Sequence, residues 1–198
     1  MPKQFETLAG TRLVDRAVEA TGAACDDVVL VLPAGVGWDG VPVAATVPGG
    51  STRSASVRAG LDAVPGSAEV VVVHDAARPL AAPALFDAVT GAVGAGADAA
   101  VPGLPIPDTV KRVDGGNVVE TISRDALVAV QTPQAFRADA LRAAHVADGE
   151  ATDDAALVEA AGGRVVIVPG DPRNLKVTTP ADLVVAAALL VAASEEQR

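Results

Sequence analysis

Short runs of β-branched residues set the strongest limit on this chain. They fall at residues 28–32, 43–47, 70–73, 99–101 and 165–168. Several are continuously apolar instead of alternating, which is how strands buried on both faces of a parallel sheet read. Helical patterns separate them. Residues 12–20 set Leu13, Ala17 and Ala20 on one stripe, with Thr11 as N-cap. Residues 57–64 follow Ser51 or Thr52 as cap, and residues 83–93 open on a proline suited to the first helical position. Residues 153–161 follow Thr152 and stop at Gly162 and Gly163, and residues 180–193 follow Thr179. This alternation predicts an α/β chain of three layers.

One segment breaks the alternation. DTVKRVDGGNVVETISR, residues 108–124, has two strand-like runs about an Asp-Gly-Gly-Asn turn at 114–117, a strong hairpin signal. A lone hairpin is marginal in water, so it either packs back on its own domain or reaches another subunit. With no internal repeat and no linker, residues 1–198 read as one domain, the hairpin forming an arm at about 108–124.

Composition narrows the function classes. Only 2% of residues are aromatic while 50% are hydrophobic, so Val, Ala and Leu must fill the core. A net charge of −10 argues against nucleic acid as a partner. It leaves room for small anionic ligands, which need only a local cluster of cations. Cys25 is the sole cysteine, which rules out an intramolecular disulfide and suits a reducing compartment. No apolar run reaches the roughly 18 residues of a membrane span, and the first ten residues, MPKQFETLAG, hold no apolar signal core. The expectation is a cytoplasmic protein with no membrane partner.

Four stretches carry chemistry. In VVVHDAARP, residues 71–79, a strand runs straight into charge, and ligands bind beyond the carboxyl ends of parallel strands. Asp75 there orients a cation or helps hold a metal–phosphate unit. Arg78 pairs with Asp75 or with a ligand phosphate; an Asp–Arg pair that merely closes the loop fits equally, and His74 reads as structural. In PGGSTRSASVRAGL, residues 48–61, Gly49 and Gly50 lie between strand and helix, where free N–H groups suit anions. A plain capped connection explains them as well, since neither dinucleotide nor Walker spacing is present. In NLKVTTPADL, residues 174–183, Lys176 sits between Leu175 and Val177 in a short strand, aimed at a phosphate or outward from a sheet edge. PKQF, residues 2–5, places Lys3 near the N-terminus. No Cys–His nucleophile, serine elbow or zinc spacing appears.

Together these stretches resemble the 2-C-methyl-D-erythritol 4-phosphate cytidylyltransferase family. The matching motifs are PKQF at 2–5, GGSTRSASVRAGL at 49–61, VHDAARP at 73–79, DTVKR at 108–112, TPQAF at 132–136, TDDAALVEAAGG at 152–163 and NLKVTTPADL at 174–183. HDAARP followed by TPQAF is highly specific. Pentitol-phosphate cytidylyltransferases share the fold and much of the pattern.

The resemblance implies a Rossmann-like three-layer sandwich with a mostly parallel sheet and a protruding β-hairpin dimer arm. It implies transfer of a cytidylyl group from CTP to a sugar-alcohol phosphate, with release of pyrophosphate and with Mg²⁺ held mainly through the CTP phosphates. The attacking phosphate oxygen is already anionic, so fixed cations matter more than a general base. By the family pattern Lys3 and Lys176 contact the CTP phosphates and Asp75 holds the reacting groups. Thr109 and Arg124 come from the partner subunit of a homodimer to grip the substrate phosphate, with Arg124 counted as catalytic. Arg78 and Thr152 join them on the substrate side. Gly50, Ser51, Ser56 and Ala76 line the cytidine and ribose pocket, and no residue of the chain is a metal ligand.

Two departures accompany the resemblance. The family starts with a strand and a glycine-rich, Arg-containing loop ahead of PKQF, whereas this sequence starts at Met1. That strand belongs inside the sheet, so its neighbours are expected as two unpaired edges. Ser51 also stands where Asp is frequent. Either the sequence begins downstream of the natural start, or the chain is a truncated relative; the retained Lys3, Asp75, Thr109, Arg124 and Lys176 favour the first. The alternatives are a ribitol 5-phosphate cytidylyltransferase and a non-catalytic nucleotide-binding dimer.

Overall fold

The computed structural model describes residues 3–146, 151 and 153–196, the side chains at 194 and 196 excepted. A short 3-10 turn, Lys3–Phe5, leads into β1 (Thr7–Leu8), β2 (Thr11–Arg12), α1 (Leu13–Gly22), β3 (Val29–Leu32), β4 (Ala45–Pro48), α2 (Arg53–Ala63) and β5 (Val70–Val73). There follow α3 (Pro83–Gly94), β6 (Ala99–Pro105), β7 (Val110–Asp114), β8 (Asn117–Ile122), β9 (Val128–Val130), β10 (Gln134–Arg137), α4 (Ala138–Val146), α5 (Asp154–Ala160), β11 (Val165–Pro169) and α6 (Pro180–Glu196).

The main sheet runs β11-β6-β10-β5, with β9 on the far end of β6. β11 is parallel to β6, and β10 is antiparallel to both β6 and β5, so β5, β6 and β11 share one direction. A separate parallel pair, β3 and β4, completes a mainly parallel α/β fold. The continuous apolar runs are explained by two covered faces. Val71 and Val73 join the cluster built with α4 and α5 (Leu141, Ala144, Leu157, Val158), whereas Val72 joins Val89 and Val93 of α3 on the other face. Alternate residues of a strand point to opposite faces, so a strand between two helical layers has no polar side. Phe86 and Phe136 are the largest fully buried side chains in a core that also holds Phe5 and is otherwise made of Val, Leu and Ala.

The sheet is split. Among the described residues β3 pairs only with β4, and β5 pairs only with β10. Their other edges face one cavity of about 820 Å³, walled by residues 29–31 of the first strand and 70–73 of the second. The expected pair of free edges is therefore present, and Val70 is left 38% exposed where a strand inside a sheet would be covered. Both strands finish at the same end of the cavity. Ala76, just past β5, packs with Leu30, Leu32 and Phe5.

Several local expectations are corrected. Thr11 does not cap α1: it pairs with Leu8 in a strand, and Arg12 holds the cap position without a side-chain bond. The second helix begins at Arg53, four residues earlier than its periodicity suggests, because Thr52 accepts a bond from the Ala55 N–H and so caps it. Asp153 caps α5 through the Ala156 N–H, and Thr152 lies outside the described residues. β10 and α4 have no counterpart among the expected elements: four residues of strand beside a proline give too little periodicity.

The hairpin of β7 and β8 forms at the expected turn, with Asp114 opposite Asn117. Gly115 and Gly116 both have positive φ, at 51° and 83°, the requirement of a type I′ turn. Among the described residues the two strands pair only with each other. Val113, Val118 and Val119 are 57–61% exposed along it.

Candidate active site

The site is built where β5 ends. His74, Asp75 and Arg78 follow it directly, and the Arg78 N–H closes a turn on the Asp75 carbonyl at 2.9 Å. The Asp–Arg pair considered from the sequence does not form. Instead the Asp75 carboxylate meets the Lys176 ammonium at 2.6 Å. Arg78 reaches past it, donating to the carbonyls of Asn174 (2.8 Å) and Val130 (3.5 Å). Burial pushes the Asp75 carboxyl up, but the hydrogen bond and charge of Lys176, with the charges of Arg53 and Arg78, bring it below its ordinary value. Burial lowers Arg78, opposed by the charge of Asp75.

His74 is the scaffold of this turn. Burial lowers its pKa to about 4, against weaker opposing effects of the Arg78 carbonyl and Asp75. The neutral ring has one assignment that satisfies its partners. Nε2–H donates to the Arg78 carbonyl (3.1 Å), the Thr132 hydroxyl donates to Nδ1 (3.2 Å), and the Thr132 oxygen accepts from the Asp75 N–H (3.0 Å). The chain of three bonds fixes the backbone of Asp75 from below.

Lys176 is positioned from the other side. The expected short strand is absent: residues 175–178 belong to no ladder. Val177 is 2% exposed and packs with Leu8, Leu13 and Ala186, beside the half-buried Leu175. With Val177 turned into the core, its neighbour Lys176 faces outward, towards Asp75. The segment is tied down by the Val177 N–H on the Ala77 carbonyl (2.7 Å). Fully buried Asn174 adds a bond from its amide to the Thr132 carbonyl (2.8 Å). Behind Lys176, Asp182 accepts from the hydroxyl and N–H of Thr178 and from the N–H of Thr179, which holds its carboxyl down at about 2. This is the reciprocal cap that starts α6.

Helix α2 supplies Arg53, Ser56, Val57 and Gly60 to the cavity wall, and the glycine loop that precedes it does not line the cavity. A Cβ on Gly50 would lie 2.4 Å from the Ala55 Cβ and 3.0 Å from its backbone carbon, so only glycine lets the loop fold onto the first turn of α2. The Ser56 hydroxyl donates to the Thr52 carbonyl (2.9 Å) and lines the cavity together with Ala76 and Asp75, while Ser51 is exposed. Lys176 does not line the cavity; it meets the Asp75 carboxylate that does.

Lys3 is exposed, two residues before Phe5, whose ring packs beside Ala76. Thr109 and Arg124 lie at the base of the hairpin, both exposed, and Arg124 donates to the Pro107 carbonyl. The structure does not bring Lys3 or Arg124 into an ion pair with Asp75, whose partner is Lys176. Sequence reasoning did not single out Thr132, Asn174 or Arg53. All three sit inside quoted motifs, but nothing in spacing alone distinguishes a buried linchpin from a loop residue.

Comparison with known proteins bears on this geometry. The family model of IspD, 2-C-methyl-D-erythritol 4-phosphate cytidylyltransferase, matches residues 1–192. The chain belongs to the IspD family. IspD-family relatives from Nocardia farcinica and Deinococcus radiodurans, both named 2-C-methyl-D-erythritol 4-phosphate cytidylyltransferase, are 48% and 46% identical. The matches cover 96% and 95% of this chain and 86% and 82% of those proteins. The crystal structure of 2-C-methyl-D-erythritol 4-phosphate cytidylyltransferase from Thermus thermophilus superposes with a TM-score of 0.87 at 38% identity, covering 96% of this chain and 94% of that one.

Proposed function

We propose that this chain transfers the cytidylyl group of CTP to 2-C-methyl-D-erythritol 4-phosphate. The observation that carries the reading is the Lys176–Asp75 pair at 2.6 Å, whose carboxylate lines a cavity in a chain of the IspD family. An oxygen of the substrate phosphate attacks the α-phosphorus of CTP. The bond from that phosphorus to the bridging oxygen breaks, and pyrophosphate leaves with the electron pair. The nucleophile carries its own charge, so no side chain has to remove a proton. Neutral His74, with its pKa near 4, suits a supporting role. The work left to the protein is to offset the charge that gathers as two anions meet. Lys176, held beside Asp75, supplies a fixed cation for it; Lys3 adds a second at the same end, and Arg78 serves the acceptor phosphate. Gly50, Ser51, Ser56 and Ala76 receive the cytidine.

Mg²⁺ binds through one or two carboxylates and substrate phosphates, keeping several waters. Asp75 offers one hard oxygen donor, and no cluster of three His, Cys, Asp or Glu side chains occurs among the described residues. That donor set fits a cation carried mainly on the CTP phosphates, which Asp75 would help hold and which would offset the charge of the leaving pyrophosphate.

The reading includes a homodimer in which the hairpin arm brings Thr109 and Arg124 to the neighbouring site. Its support is an arm that pairs only with itself and exposes Val113, Val118 and Val119. A cytoplasmic setting accords with the lone Cys25, and no helix among the described residues is long and apolar enough to cross a membrane.

Pyrophosphate release from CTP is the test, with 2-C-methyl-D-erythritol 4-phosphate and ribitol 5-phosphate assayed side by side. Both the 198-residue chain and an N-terminally extended form are measured. Turnover with the first acceptor supports the reading; turnover confined to the second transfers it to the pentitol class, and none in either form ends it.

A further inference from the structure

A second ionic cluster lies outside the Lys176–Asp75 pair. Asp154, at the start of α5, is fully buried, and its carboxylate meets two partners. One oxygen faces the Arg53 guanidinium at 2.8 Å, and the other bonds the ring of His145 at 3.0 Å. His145 is itself buried at the end of α4. The cluster therefore bolts the first residue of α2 to two helices that pack on the main sheet. A buried carboxylate held by a guanidinium and an imidazole is costly to desolvate, and it fixes its partners tightly.

Arg53 has an unspent side. Its Nη2 engages Asp154, yet 33% of the side chain stays exposed. Arg53 also lines the cavity together with Asp75 and Ser56, and its charge is among those that lower the Asp75 carboxyl. It follows the Gly50 loop directly, on the first turn of α2. A guanidinium presents several donors in a rigid fork, so one edge can be anchored while another takes an oxyanion.

We infer that Arg53 is an anion-binding residue of the cavity: Asp154 and His145 brace its guanidinium from behind, and the exposed part of the side chain, on the cavity wall, receives a phosphate oxygen of the bound nucleotide. The inference rests on the nucleotidyl-transfer reading for the identity of that anion. It gives α2 a role the reading lacked. The helix bears the Gly50 loop on one side and a braced cation on the other, so base and phosphates are held by one rigid element. It also explains why a carboxylate with no access to solvent is retained next to the site.

Calorimetry on the whole chain, comparing CTP, cytidine and inorganic tripolyphosphate, tests this. Arg53→Ala is expected to weaken CTP and tripolyphosphate by about tenfold or more, the factor supplied by one charge-assisted hydrogen bond, and to leave cytidine unchanged. Arg53→Lys, which keeps the charge, recovers part of the loss. If Arg53→Ala does not fold by circular dichroism, Arg53→Gln is read in the same three titrations. A merely structural arginine moves CTP and cytidine by the same factor, and that result, or unchanged CTP affinity, overturns the inference. Should the unaltered chain bind tripolyphosphate through Arg53 but ignore CTP, the anion site stands and the cytidylyl reading falls. Binding of neither, by this chain and by the N-terminally extended form alike, removes both.

Discussion

The Lys176 ammonium lies 2.6 Å from the Asp75 carboxylate, although the two residues come from opposite halves of the chain. Asp75 is placed by the end of β5 and the bonds through Thr132 and His74. Lys176 is placed by the burial of Val177 and by Asn174. Neither position depends on the other side chain, so the pair is a product of two independent scaffolds, and each can be perturbed separately.

Removal of the cation is the most direct perturbation. Lys176→Ala is expected to lower kcat by about two to three orders of magnitude, the usual effect of losing one preorganised group at developing charge. Far-UV circular dichroism stays unchanged, because the side chain is exposed and outside the core. Asp75 then loses its main stabilising partner, and its carboxyl titrates higher by NMR. A variant with full activity would remove Lys176 from the mechanism.

Asn174 tests the scaffold without touching the pair. Asn174→Ala deletes the amide that bonds the Thr132 carbonyl, leaving a buried acceptor unpaired at a cost of about 1–3 kcal/mol. Stability falls by that amount in urea melts, and kcat falls as the Lys176 segment loosens. A loss of stability with no loss of turnover would show that the segment holds its place by Val177 alone.

The buried imidazole gives the chain a pH response. His74 has a pKa of about 4 folded and 6.5 as a free side chain. Between those values the unfolded state binds more protons, so the neutral ring's contribution is complete above pH 6.5 and is lost as pH falls towards 4. The loss is on the order of 3 kcal/mol. Asp75, with its lowered carboxyl, adds to the slope only below its ordinary value of 3.8. Denaturation midpoints across the window between the two His74 values should show this slope, and His74→Asn should flatten it.

The split sheet predicts an exchange pattern. Amides of β5 that bond β10 are protected, while the alternate amides of the same strand face the cavity and exchange rapidly. The free edge of β3 behaves alike. Uniform protection along residues 70–73 in hydrogen-exchange mass spectrometry or NMR would contradict two open edges.

The arm makes a prediction about assembly. Excising the turn at Gly115 and Gly116 should shift the light-scattering mass from dimer to monomer and lower activity with it. A dimer that survives the excision would put its interface elsewhere.

Much of the fold is legible as pattern. Strand–helix alternation, the hairpin turn and the Pro83 helix start are all readable, because each depends on a few adjacent residues and a fixed period. Helix boundaries are less so. Arg53 to Ser56 belong to α2, although their polar character hides the helical period, and the Thr52 cap decides the start. β10 escapes notice because its identity comes from lying between β5 and β6 and not from its own four residues.

The amino-acid order by itself determined which chemical groups are available: few aromatics, scattered cations on an acidic chain, and motifs shared with one enzyme family. Folding in three dimensions decided which of those groups meet. Asp75 was free to choose Arg78, three residues away, yet lies against Lys176, because burial of Val177 and Asn174 brings that distant segment beneath the strand end. Local spacing fixes what a residue can reach along its own element. Partners across the sheet are selected by the packing of apolar surface far from either charge, which no short window of sequence contains.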